Sequence, residues 1–260
     1  MKKDNKVYIF LLIILVIFFL IIFVVFGIDN IKNGKNNLTL LIEHDTIFSY
    51  KNRKWSYINN NTLIKDYNWK KYNIYLNNEK FGSYYLWKND KWYAFDSNKN
   101  AVKLEGELLA YRSNFPLSIS SFKTKEINNK KYVNKVLSQY ELSLSSQFTS
   151  SYMILFDIDN DGIEEEFYIL SNAFPMDFNP KYIFSFVFMV KNNKIYNIYN
   201  EKDLNISFNG CKPYFSSFID IDKDSKYELI LSCGKYSDSG VIRRLYQFNK
   251  DEFKILVTNE

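Results

Sequence analysis

Two nine-residue loops in this chain carry their acids at the same places. Asp157-Ile-Asp-Asn-Asp-Gly-Ile-Glu-Glu165 and Asp220-Ile-Asp-Lys-Asp-Ser-Lys-Tyr-Glu228 both put carboxylates at loop positions one, three, five and nine. Each loop follows an apolar run (residues 153–156 and 215–219) and precedes another (167–170 and 229–231). The flanks are β-branched and aromatic, so the loops connect strands rather than helices. Carboxylates gathered this closely repel one another unless a cation lies among them. A chain with two such corners is constrained to a mainly β fold whose adjacent strands are tied at acidic turns.

Calcium suits that demand, because it takes roughly six to eight hard oxygen ligands in a flexible shell. In the first loop the candidate ligands are the side chains of Asp157, Asp159, Asp161 and Glu165 and the carbonyl of Ile163. In the second they are Asp220, Asp222, Asp224 and Glu228. Gly162 at position six permits the sharp turn. An EF-hand needs an acid at position twelve, where this chain has Tyr168, and it needs helical flanks. Ser225 replaces the glycine in the second loop, and Lys223 and Lys226 reduce its negative charge. Weaker calcium binding is therefore expected there than in the first loop.

The loops with their flanks, from Phe156 to Phe167 and from Ile219 to Leu229, resemble the FG-GAP/VCBS repeats of integrin-type propellers and many bacterial surface proteins. In that family a strand leads into Asp-x-Asp-x-Asp-Gly-x-x-Asp/Glu and then into an apolar strand. The resemblance implies calcium on both carboxylate sets and covers about the last 110 residues. The Phe-Gly and Gly-Ala-Pro elements that name the family are absent. Two units close a propeller only if the N-terminal hairpins supply further blades. In the N-terminal half, Lys54-Trp-Ser-Tyr-Ile-Asn59 and Lys91-Trp-Tyr-Ala-Phe-Asp96 resemble WG-type β repeats without the glycine after tryptophan.

A second pattern recurs five times: apolar, polar, two turn residues, polar, apolar. It spans residues 50–55, 76–81, 87–92, 190–195 and 248–253. A two-residue turn pairs the inner polar residues with each other and the outer apolar residues with each other, Trp87 with Trp92 for example. Residues 76–95 are expected to form a three-stranded meander. Between the β parts, Ile127, Tyr132, Val133, Val136, Leu137 and Tyr140 recur at three- and four-residue spacings, which predicts an amphipathic helix near 127–141.

Residues 7–28 are uncharged and apolar, about 22 residues and long enough as a helix to cross a hydrocarbon core of roughly 30 Å. The stretch ends Val24-Val25-Phe26-Gly27-Ile28-Asp29, a poor cleavage site for a signal peptide. Lys2, Lys3 and Lys6 precede it and place the N-terminus in the cytoplasm. The expected organisation is a cytoplasmic tail (1–6), a transmembrane anchor (7–28) and a linker (29–37). A β-hairpin region (38–112), a connecting segment with the helix (113–150) and a β region with the two acidic loops (151–260) follow. The fold expected outside the membrane is a repeat-built β domain, propeller-like or a β-sandwich. In that compartment Cys211 and Cys233, which bracket the second loop, can oxidise to a disulfide, the alternative being two buried thiols.

The net charge of +5 is small and no basic run exceeds two residues, which excludes a nucleic-acid surface. Catalytic constellations are scarce. The chain has one histidine, His44, and lacks a phosphate loop, a nucleophile elbow and zinc-ligand spacing. The expected function is binding rather than catalysis: a membrane-anchored, calcium-stabilised β domain that takes a protein or glycan of the cell envelope. One alternative is a carbohydrate-active or hydrolytic module in which Trp55, Trp87 or Trp92 stacks on sugars. The other is a structural subunit of a membrane complex.

Overall fold

The computed structural model describes residues 37–43, 46–51, 54–58, 67–89, 91–113, 116–143, 148–173, 183–203, 211–235 and 240–260. The expected tail, anchor, most of the linker, and His44 lie outside the described residues. Among the described residues no helix is long and apolar enough to cross a membrane.

The chain is mainly β. The N-terminal part forms β1 (Leu38–Ile42), β2 (Thr46–Lys51), β3 (Lys54–Tyr57), β4 (Lys70–Leu76), β5 (Glu79–Lys88), β6 (Trp92–Phe95), β7 (Ala101–Val102) and β8 (Leu108–Ser113). The connecting segment holds two short strands, β9 (Ser118–Ser120) and β10 (Thr124–Lys125), and the helix α1 (Lys131–Gln139). Then come β11 (Ser150–Phe156), β12 (Glu165–Ser171), β13 (Ile183–Lys191) and β14 (Lys194–Asp203). The last four are β15 (Cys211–Asp220), β16 (Glu228–Lys235), β17 (Val241–Asn249) and β18 (Glu252–Thr258).

These strands make three antiparallel sheets. Sheet I is eight-stranded, in the order β3-β2-β1-β8-β4-β5-β6-β7. Sheet II runs β10-β11-β12-β13-β14, and sheet III runs β18-β17-β16-β15-β9. Each acidic loop therefore joins the first two strands of a four-stranded meander. The connecting segment gives one edge strand to each meander, β9 on β15 and β10 on β11.

The sheets stack with sheet III in the middle. One core layer joins sheets II and III through Ile154, Phe167, Ile169 and Val187 against Phe215, Phe218, Leu229 and Leu231. A second joins sheets I and III through Leu38, Leu40, Phe48, Leu109 and Tyr111 against Ile219, Ile230, Leu245 and Val257. Leu229-Ile230-Leu231 thus sends alternate side chains into two cores, which is why this strand reads as a continuous apolar run. Sheet II is buried on both faces for the same reason. Its outer side chains Tyr168, Leu170, Phe184, Phe186 and Phe188 are covered by Tyr132, Val133, Val136 and Leu137 of α1. Among the described residues no core cluster joins sheets I and II. This order differs from a sequential ring of blades, in which each sheet packs on its neighbour in the chain.

Three expected hairpin registers are present: Tyr50 opposite Trp55, Val190 opposite Ile195 and Phe248 opposite Phe253. Two differ. Leu76 pairs with Glu79 rather than Phe81, because Asn77 and Asn78 take positive φ (51° and 63°) and form the turn. Trp87 pairs with Tyr93 rather than Trp92, because the loop holds one residue more. That shift turns Trp92 to the opposite face, where it is buried with Leu86 and Ala94 and is closed to a ligand. Cys211 and Cys233 lie on neighbouring strands, diagonally across the ladder, and are joined in a disulfide with Cα atoms 5.4 Å apart.

Candidate cation sites

The two acidic loops have the same backbone. Positions four and six take positive φ in both, at Asn160 (56°) and Gly162 (87°) and at Lys223 (63°) and Ser225 (67°). Ser225 thus follows the path of the glycine and accepts the strain of a left-handed residue. Position two is an isoleucine whose side chain anchors the loop in a core, Ile158 between sheets II and III and Ile221 between sheets I and III. Position nine is a glutamate buried at the start of the next strand, Glu165 or Glu228, each 2% exposed. Each of these glutamates accepts the position-two N–H, from Ile158 at 3.0 Å and from Ile221 at 3.1 Å. The loops also touch. The Tyr227 N–H donates to the Ile158 carbonyl at 2.8 Å, and the Tyr227 ring stands edge-on to Phe156.

In the first loop carboxylate oxygens of Asp157, Asp159 and Glu165 lie within 4.8 Å of one another, and Asp161, also expected as a ligand, is not part of that group. A cation already lies beside them. The Lys191 ammonium donates to Asp159 at 2.7 and 2.8 Å, to Asp161 at 2.9 Å and to Glu165 at 2.6 Å. Burial by itself would depress the Lys191 pKa. The hydrogen bonds to Asp159, Glu165 and Asp161 override it and hold the ammonium above its ordinary range. Asp161 is held low, chiefly by Lys191 and then by the Ile163 N–H. Asp157 spends both its oxygens inside the loop, accepting the N–H groups of Asp161 (3.1 Å) and Gly162 (2.8 Å). Ile163 is an exposed side chain whose N–H donates to Asp161.

The second loop gathers Asp220, Asp222 and Asp224, loop positions one, three and five rather than one, three and nine. Its position-nine acid meets a different partner. One step past the Leu229–Tyr246 pair, the side chain facing Glu228 is Gln247, whose amide donates to it at 3.1 Å. Lys191 holds the matching place in sheet II, one step past the Glu166–Val190 pair. A neutral amide thus stands where the first loop has an ammonium. Among the described residues no salt bridge reaches Asp220, Asp222, Asp224 or Glu228. Burial, with the charges of Asp222 and Asp224 added, pushes the Glu228 carboxyl up to about 8 against the pull of the Ile221 N–H and the Gln247 amide. Asp222 is also raised, by burial and by Asp224.

Lys191 and Gln247 are not among the residues picked out in sequence. The signal for Lys191 lay in the correctly read hairpin 190–195, whose inner position falls across the ladder from the buried glutamate. No family model, curated protein or solved structure matches this chain.

Proposed function

We propose that this chain is a membrane-anchored, extracytoplasmic β module that takes one structural calcium ion at the Asp220 loop and uses Lys191 as the fixed cation of the Asp157 loop. The observation that carries this reading is the exchange of Lys191 for Gln247 at matching places beside matching acids. On this reading the order of affinity is the reverse of that expected from sequence, because a lysine on a neighbouring strand neutralises the loop that looked better. The module binds a component of the cell envelope and performs no catalysis. Both of its acid clusters sit in metal-type loops, and the calcium holds two core layers together at their shared corner. The anchor at residues 7–28 and the disulfide fit the same compartment.

Differential scanning calorimetry of the purified full-length chain with and without calcium tests this. At a calcium concentration about a hundred times Kd the stabilisation expected is about 2.7 kcal/mol. Asp222→Ala removes this response and Asp159→Ala keeps it. Equal responses in both variants, or none in the wild type, overturn the assignment. A reporter joined after Glu260 that works only outside the cytoplasm tests the location.

A further inference from the structure

Sheet I is wider than the sheet that covers it. Sheet III packs over β1, β2 and β8 and the Tyr75 end of β4. The same face continues past that cover onto β5 and β6. Leu86 and Ala94 point to the opposite face, so alternation turns Tyr85, Trp87, Tyr93 and Phe95 onto the overhang. Register places Tyr85 across from Phe95 and Trp87 across from Tyr93. Trp69 leans on Phe95 with ring centroids 5.0 Å apart and remains 50% exposed, and Tyr85 is 36% exposed. Between them lies a cleft of about 530 Å³ lined by Trp69, Tyr85, Asp96, Ser97 and Lys99, within the range of roughly 300–1,000 Å³ usual for small-ligand sites.

Two features hold the lining in place. Trp69 has φ 54°, a region that a bulky residue enters only when its surroundings hold it there. Its N–H donates to the Leu86 carbonyl at 2.7 Å, which fixes the ring's position at the cleft. Asp96 is fixed as well. The N–H groups of Asn98 and Asn100 donate to it, each at 2.8 Å, and the Asn100 amide at 3.0 Å. These bonds, the Asn100 amide first, hold its carboxyl below the ordinary range, so it is an ionised acceptor at neutral pH.

We propose that this cleft binds a neutral saccharide, with the Trp69 and Tyr85 rings under the apolar faces of its sugar rings and Asp96, Ser97 and Lys99 on its hydroxyl groups. A pyranose has an apolar C–H face and a rim of hydroxyls, and the lining has the matching division. The charges of Asp96 and Lys99 cancel, which suits an uncharged polyol, and the fixed carboxylate opposes a phosphate or uronate chain. Trp69, rather than Trp55, Trp87 or Trp92, is then the stacking tryptophan. The site lies on a different sheet from the calcium loop, so its test is independent of that reading.

The experiment is isothermal titration of the full-length chain with cellohexaose, chitohexaose and maltohexaose, with hexagalacturonate and oligothymidylate alongside. Tryptophan fluorescence is followed in parallel. At least one neutral hexasaccharide is expected to bind and to change the fluorescence. Trp69→Gly suits the positive φ and therefore folds, and it weakens binding at least tenfold, as does the surface change Tyr85→Ala. Asp96→Asn weakens it several-fold, and Trp55→Ala leaves it unchanged. The proposal is overturned if no neutral hexasaccharide binds. It is also overturned if oligothymidylate or hexagalacturonate binds more tightly, or if folded Tyr85→Ala and Trp69→Gly bind as the wild type does.

Discussion

The contrast between Lys191 and Gln247 makes a sharp test of how a single ammonium can stand in for a metal. Lys191 is 14% exposed and touches three carboxylates. Removing one partner of a nearly buried ion cluster leaves the others uncompensated, at about 3–5 kcal/mol for full burial and less where solvent reaches the group. Lys191→Met is therefore expected to lower stability by about 2 kcal/mol in calcium-free buffer. Added calcium then restores part of it, because the vacated loop regains a metal-type acid set. The converse change, Gln247→Lys, is expected to abolish calcium stabilisation of the second loop and to raise stability in chelator. Calorimetry of both variants reads these outcomes. A Lys191→Met chain that is as stable as wild type and indifferent to calcium would show the ammonium to be incidental.

The local elements were largely legible in sequence, and the misses have local causes. Period-two alternation and paired turn residues gave the hairpins at 50–55, 190–195 and 248–253, and three- and four-residue spacing gave α1. The hairpins at 76–81 and 87–92 differ in register, by two residues and by one, because polar residues fill every loop position alike. Only the backbone shows which residues take positive φ. The one-residue change at 87–92 turns Trp92 inward, whereas Trp69 lies outside both hairpins, just before β4, where no pattern marked it. The loop acids were legible from spacing, but their neutralisation was not, since Lys191 reaches them from another strand through tertiary register. The disulfide ties the other end of the β15–β16 hairpin, away from the acidic loop. It closes a loop with a sequence separation of 22, for which chain entropy gives about 3 kcal/mol. Cys211→Ala/Cys233→Ala is expected to lose about that amount in denaturant unfolding. A loss far below 1 kcal/mol would mean that the β15–β16 ladder alone fixes the hairpin.

The whole molecule is a stack whose layers are glued by aromatic side chains, many of them tyrosines that must stay neutral. Burial pushes Tyr152 up to about 12 and raises Tyr72, Tyr199 and Tyr214 as well. An unfolded tyrosine ionises near pH 10. The contribution of these groups is therefore intact below about pH 10 and is lost as pH climbs toward and beyond 12. Alkaline titration is expected to show phenolate absorbance and loss of β circular dichroism rising together above pH 10. Phenolate appearing near pH 10 with the fold unchanged would contradict this burial. The order of layers was the least legible property of all, because apolar runs reveal that a strand is covered twice without naming the partner on each side.

That order sets a timetable. Apart from its edge strand β9, sheet III is the last of the three to be synthesised, yet both other sheets pack their inner faces on it. While the ribosome is still making β15, two broad apolar surfaces have no mate. Assembly therefore waits for the final strands and then proceeds at once, and fragments ending near residue 203 are left adhesive and short-lived. Any helper that attends this chain during its synthesis works in that interval.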